Sequence, residues 1–167
     1  LIEVYKGDRK IFRGRVIKEV VGFYKDKTFT CEGQLGFLLD SIVRPYTFTG
    51  TPAEYLTFLI NSHNDQVDDY KKFNLGTVTV TDPNDYIVRS NEAYESTSDN
   101  LQKRALDPLG GYIFITEDEE GARFINWYAE SPYQSGQSIE FGSNLLDFTK
   151  TNRTEDIATA IIPLGVE

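Results

Sequence analysis

Between Thr51 and Val67 the period of the sequence changes, and that change commits the chain to combining helix with sheet. Thr51-Pro52-Ala53-Glu54 places a hydroxyl at a helix N-cap, a proline at the first helical position and a glutamate able to reach back to the cap. Leu56, Leu59, Ile60, His63 and Val67 then recur at three- and four-residue spacings, which predicts a helix with one buried stripe. On both sides the pattern has a period nearer two. Lys6 to Arg9 (KGDR) supplies Gly-Asp turn chemistry between two apolar segments, and a second turn at YKDKT leads into Thr28–Gln34. The first third therefore predicts a three-stranded antiparallel meander, with Gly14 and Gly33 marking bulges or close backbone approaches.

Further along, FNLGTVTVTDPND reads as a strand closed by an Asp82–Asp85 turn. A second helix is expected from Ser96 or Thr97 through Leu101, Ala105 and Leu106. Pro108 should keep Asp107 out of the helical region, and Gly110-Gly111 should end the element. YIFIT and RFINWYA flank the acidic turn EDEEG, a hairpin signal. The closing stretch from Ser138 reads as strand. There are no internal repeats, and the fold class is α+β with its helices in the middle of the chain.

Composition restricts the function. Of 167 residues, 40% are hydrophobic and 26% charged, which argues against disorder, and 10 Tyr with 11 Phe favour sheet. The net charge of −9 disfavours stable nucleic-acid binding, which needs clustered Lys and Arg. No run approaches the roughly 20 apolar residues of a membrane span, and Leu1 to Lys10 lacks a signal-peptide core. One Cys and one His exclude an internal disulfide and the Cys₄ and His₃ zinc sites.

No catalytic constellation emerges. His63 reads as a packed helix residue bonded to backbone, because acid–base work needs a positioned partner. Asp65, Asp68 and Asp69 read as a solvated helix end, and Cys31 as a small buried hydrophobe in mid-strand. Glu117–Glu120 lacks the ligand spacing of a calcium loop, and Asn152–Thr154 matches the short glycosylation sequon. Glu92, Glu95 and Asp99 form the nearest approach to a paired-carboxylate site, but 26 acidic residues make such clusters common by chance. Tyr133 or Trp127 would serve a carbohydrate-binding lobe. The expectation is no catalytic, cofactor-binding or metal site.

Longer segments carry more information. RGRVIKE, TCEGQLGFLLDSIVRPY, VTVTDPND, LGGYI, IEFGSNLLDFTKT and DIATAIIPLG, in this order and spacing, resemble the N-terminal region of the phage tail-associated proteins called prophage endopeptidase tail proteins. These are relatives in fold of the baseplate hub protein. The stretch STSDNLQKRALDPLGG departs from the longer, more regular amphipathic helix expected there.

The resemblance implies a structural component of a phage or prophage tail tip. It would form a homotrimeric baseplate-hub ring that joins the tail tube to host-facing parts and contacts other tail proteins. The protein would be made in the bacterial host cytoplasm and reside in the virion tail. Residues 1–44 and 138–167 would form part of a hub-type barrel, and 45–137 a mixed α/β lobe carrying two helices. Wall cleavage would reside in later segments, so this stretch is expected not to be an enzyme. With Leu1 first, no methionine, and the strand-like run Ile157–Leu164 ending in IIPLGVE, the chain is expected to be an internal piece of a longer polypeptide. The alternative is a peptidoglycan hydrolase or peptidase domain using Glu92, Glu95, Asp99 or His63.

Overall fold

The computed structural model describes residues 1–133, 135, 136, 138–143, 145 and 147–149. The chain divides into Leu1–Pro132 and Tyr133–Glu167. It is a strand-rich mixture of α and β structure, and none of its sheets closes into a barrel among the described residues.

The N-terminal meander is present: β1 (Ile2–Lys6), β2 (Arg9–Val21) and β3 (Lys27–Gly33) form an antiparallel sheet in that order. Gly7, at φ +60°, makes the first turn. The register shifts fall at Ile11 and Ile17, which have no partner opposite them, rather than at the two glycines. Gly14 instead marks a close approach, since a Cβ there would lie 2.0 Å from the Glu32 carbonyl oxygen. Neighbouring strand residues point to opposite faces, so the middle of the sheet is sorted by charge, while Lys6 and Arg9 at one end and Glu19 and Lys27 at the other fall on the more apolar face. Glu3, Lys10, Arg13, Arg15 and Glu32 share one face, and Ile2, Val4, Phe12, Val16, Phe29 and Cys31 share the other.

A 3₁₀ turn (Gln34–Asp40) leads to β4 (Ile42–Val43) and β5 (Tyr46–Gly50). Helix α1 (Pro52–Asn64) starts at the expected capping box: Thr51 Oγ1 accepts from the Glu54 N–H, and the Glu54 carboxylate accepts from the Thr51 N–H at 2.8 Å. Pro52, Tyr55, Leu56, Leu59, Ile60 and His63 are its buried stripe. The helix stops before Val67, and two amide side chains pair with backbone as a strand would. Asn64 bonds both main-chain groups of Phe73, and Gln66 both those of Ile42.

Strand β6 (Asn74–Val78) runs parallel to β10 (Arg123–Tyr128), which pairs antiparallel with β9 (Tyr112–Glu117) across the expected acidic turn. In that turn the Asp118 carboxylate accepts from the N–H groups of Glu120 and Ala122. The Asp82 turn likewise carries its Asx bond, from the Asn84 N–H. Two short antiparallel pairs were not foreseen: β5 with β7 (Ile87–Asn91), and β4 with β8 (Glu95–Ser96). The core runs from Phe37 to Trp127 and includes Tyr55, Leu56, Leu59, Phe73 and Ile125; no side chain of β1–β3 enters it.

The second helix is broken into pieces. Ser96 caps α2 (Thr97–Leu101); a π turn (Gln102–Leu106) and α3 (Asp107–Leu109) follow, and Gly110 and Gly111 close the element at φ +69° and +90°. Contrary to expectation, Asp107 is helical, at φ −60° and ψ −44°. Pro108 has no N–H for the Arg104 carbonyl four residues back, where an α-helix would bond. The π turn opens the ladder at that point, and Arg89 Nε–H donates to the Arg104 carbonyl at 2.6 Å. Within Tyr133–Glu167, Phe141 bridges Leu145, and the N–H groups of Ser143 and Leu145 donate to the Glu140 carbonyl. The run Ile157–Leu164 and the sequon at 152–154 lie outside the described residues.

Arg89→Ala leaves the Arg104 carbonyl without its donor. It is expected to lower stability to urea by about 1–3 kcal/mol, whereas an unchanged unfolding midpoint would show that water replaces the guanidinium without cost.

Candidate functional site

His63 has a partner that the sequence did not disclose. Its Nδ1 lies 2.7 Å from Ser41 Oγ, and its Nε2 lies 3.1 Å from the Lys71 carbonyl. A carbonyl only accepts, so Nε2 carries the proton and Nδ1 accepts from the Ser41 hydroxyl. Ser41 Oγ in turn lies 2.7 Å from Thr97 Oγ1, and the Thr97 N–H donates to the Ser41 carbonyl. A serine hydroxyl on an imidazole is the starting geometry of nucleophilic catalysis. Here, however, His63 is 0% exposed and Ser41 and Thr97 are each 1% exposed, so the pair is sealed. The network ties α1 to the loop before β4, to the start of α2 and to the Lys71 backbone. The Phe73 ring packs 5.5 Å from the imidazole, and burial lowers the His63 pKa below its ordinary 6.5.

The carboxylate cluster is neutralised by cations. Glu95 meets Lys103 at 3.0 Å and Arg104 at 3.4 Å, and it accepts from Asn91. Asp99 accepts from the hydroxyl of Ser96, the N-cap of its helix, and pairs with Lys103, and these bonds lower its pKa. A general acid needs a raised pKa. Glu92 is exposed and joins neither arrangement. Trp127 is fully buried and donates its indole N–H to the Gly110 carbonyl, so it offers no sugar platform; Tyr133 is exposed. Cys31 is a free, half-buried thiol opposite Val16. Asp65, Asp68 and Asp69 are exposed, with Lys72 pairing Asp69. No group of three or more His, Cys, Asp or Glu among the described residues could hold a metal ion, and none of the described helices is long and apolar enough to cross a membrane.

The surface is more informative than these polar clusters. The charged face of the meander is latched to the following elements by Glu117 and Asp40. Burial pushes the Glu117 carboxyl up, but hydrogen bonds from Lys10, Gln34 and Arg13 outweigh it and hold it at about 2. Arg15 bridges Glu32 and Asp40 and lies over the Phe37 ring; with Lys71 it holds the Asp40 carboxyl at about 2. The opposite face stays open. Val4, Val16 and Phe29 are 43%, 43% and 46% exposed, and at the tip of the β2–β3 hairpin Phe23 and Tyr24 reach 94% and 88%. Their rings meet edge to face at 5.2 Å, above a turn closed by Gly22 and Asp26.

A cleft of about 430 Å³ lies elsewhere in Leu1–Pro132, between residues 42–46 and the outer side of α1. Its walls include Pro45, Tyr46 and Phe58, with Arg44 on the strand side and Asp65 on the helix side. No protein-family model, curated protein or solved structure matches the chain.

His63 is the only histidine, so its linkage can be isolated. Above its ordinary pKa both folded and unfolded chains hold it neutral. As the pH falls through that value the unfolded chain takes up the proton first, and stability drops. Urea unfolding should lose stability between about pH 7.5 and about 5.5, by up to about 1.4 kcal/mol per pH unit. His63→Gln should flatten that slope, and a slope that survives the substitution would assign it to another group.

Proposed function

We propose that this chain is a structural assembly module, a hub-type component of a phage or prophage tail tip that joins tail parts rather than processing a substrate. The observation that carries this reading is the meander: three strands with an open apolar face, contributing no side chain to the core. Exposed apolar surface of this extent marks a place where another surface docks. The outer edges of β1 and β3 are unpaired among the described residues and could extend into a larger sheet, as a hub-type barrel requires. The segment resemblance to prophage endopeptidase tail proteins supplies the context of a trimeric ring in the virion tail. The closed Ser41–His63 pair and the cation-paired Glu95 and Asp99 favour this reading over a wall hydrolase.

Val16→Glu and Phe29→Glu, each on the open face, should abolish incorporation of the protein into tail particles. Val16→Glu should change stability by no more than about 0.5 kcal/mol, as for most surface substitutions, and Phe29→Glu, set opposite Glu19, should cost about 1 kcal/mol. Normal incorporation of both variants would remove the assembly reading, and peptidoglycan cleavage lost on His63→Gln or Glu95→Gln would replace it with the hydrolase.

A further inference from the structure

Two surface features, the hairpin tip and the α1 cleft, each carry an aromatic pair beside one basic and one acidic residue. The tip presents the Phe23–Tyr24 pair followed by Lys25 and Asp26, and neither charged side chain has a hydrogen bond or ion pair among the described residues. Lys25 holds φ +64° in a turn fixed by two backbone bonds, Gly22 N–H to the Asp26 carbonyl and Lys25 N–H to the Gly22 carbonyl, so the tip is shaped before any partner arrives. The cleft offers the aromatic edges of Tyr46 and Phe58, whose rings lie 4.9 Å apart, and at its walls Arg44 and Asp65. Arg44 makes no hydrogen bond or ion pair among the described residues, and the Asp65 carboxylate accepts none. One basic and one acidic group on the tip thus match one acidic and one basic group across the cleft.

We propose that the β2–β3 hairpin tip of one copy seats in the α1 cleft of a second copy, with Phe23 and Tyr24 against Tyr46 and Phe58, Lys25 facing Asp65 and Asp26 facing Arg44. The inference rests on the assembly reading and names the partner as another copy of this chain. A cleft of about 430 Å³ takes a few side chains rather than a whole element, which suits a turn tip. The net charge of −9 sets copies to repel one another, so self-association has to run through contacts where the local charges are matched. Tip and cleft are different surfaces, so the contact is head-to-tail. Each copy has one of each, and successive copies close into a ring when the rotation permits.

Sedimentation of the full chain over a concentration series tests this. Wild type should self-associate, and Phe23→Ala with Tyr24→Ala should weaken association by about thirtyfold or more. Lys25→Asp and Asp65→Lys should each weaken it by about tenfold, and the two together in one chain should restore it. Ser62 also lines the cleft, so Ser62→Trp fills it and leaves the tip intact, whereas a tip-deficient copy keeps its cleft, and a mixture of these two variants should stop at the heterodimer. Oligomers that ignore these changes, or a charge swap that restores nothing, overturn the contact and leave the assembly reading standing. A chain that stays monomeric at every concentration yet enters tail particles does the same. Failure of the Val16→Glu and Phe29→Glu particle test removes the assembly reading instead.

Discussion

Glu117 accepts hydrogen bonds from Lys10, Arg13 and Gln34, and Arg15 spans Glu32 and Asp40. These contacts, rather than a shared apolar core, hold β1–β3 against the elements that follow. The distinction has consequences for the whole surface. A sheet anchored by burial would spend its apolar face on its own core. Here the charged face is turned to the anchor, so the apolar face is left outward. Two carboxyls held at about 2 also keep the latch ionised across the ordinary pH range, with its contribution fading only as the pH falls from the usual carboxylate values towards 2.

What the sequence disclosed was local. The Thr51 capping box, the α1 stripe as far as His63, the Gly7 turn and the Asp118 hairpin each depend on residues within a few positions, and each formed where the pattern put it; only Val67 fell beyond the helix. The misses came from longer range or from one residue overriding another. Pro108 was expected to keep Asp107 out of the helical region, but Arg89, fifteen residues before the carbonyl it meets, supplied the missing donor. The two bulges fell on Ile11 and Ile17, which no propensity marks, and Gly14 served close packing instead.

The partners of the polar groups were hidden for the same reason. His63 reads as a packed helix residue because its stripe is apolar, and it is packed. Ser41 and Thr97, which complete its network, are separated from it in sequence and look like ordinary loop and cap residues. Glu117 looked like one acid among four in a solvated turn. Its partners at Lys10 and Arg13 are more than a hundred residues away, and only the fold separates it from exposed Glu119 and Glu120. Trp127 failed as a surface platform because β10 is the middle strand of its sheet, where an alternating residue points into the core.

An open apolar sheet is a hazard for any chain that carries one, because its unpaired edges and face invite indiscriminate stacking. Several features limit that here. The sheet twists through two bulges, and Glu3, Lys6, Lys27 and Glu32 place charge along both outer strands. The chain as a whole is strongly acidic, so copies that meet in arbitrary orientations repel. Association is then permitted only where apolar contact coincides with matched charge. On the proposed assembly reading, that combination suits a part that must find one orientation among its neighbours.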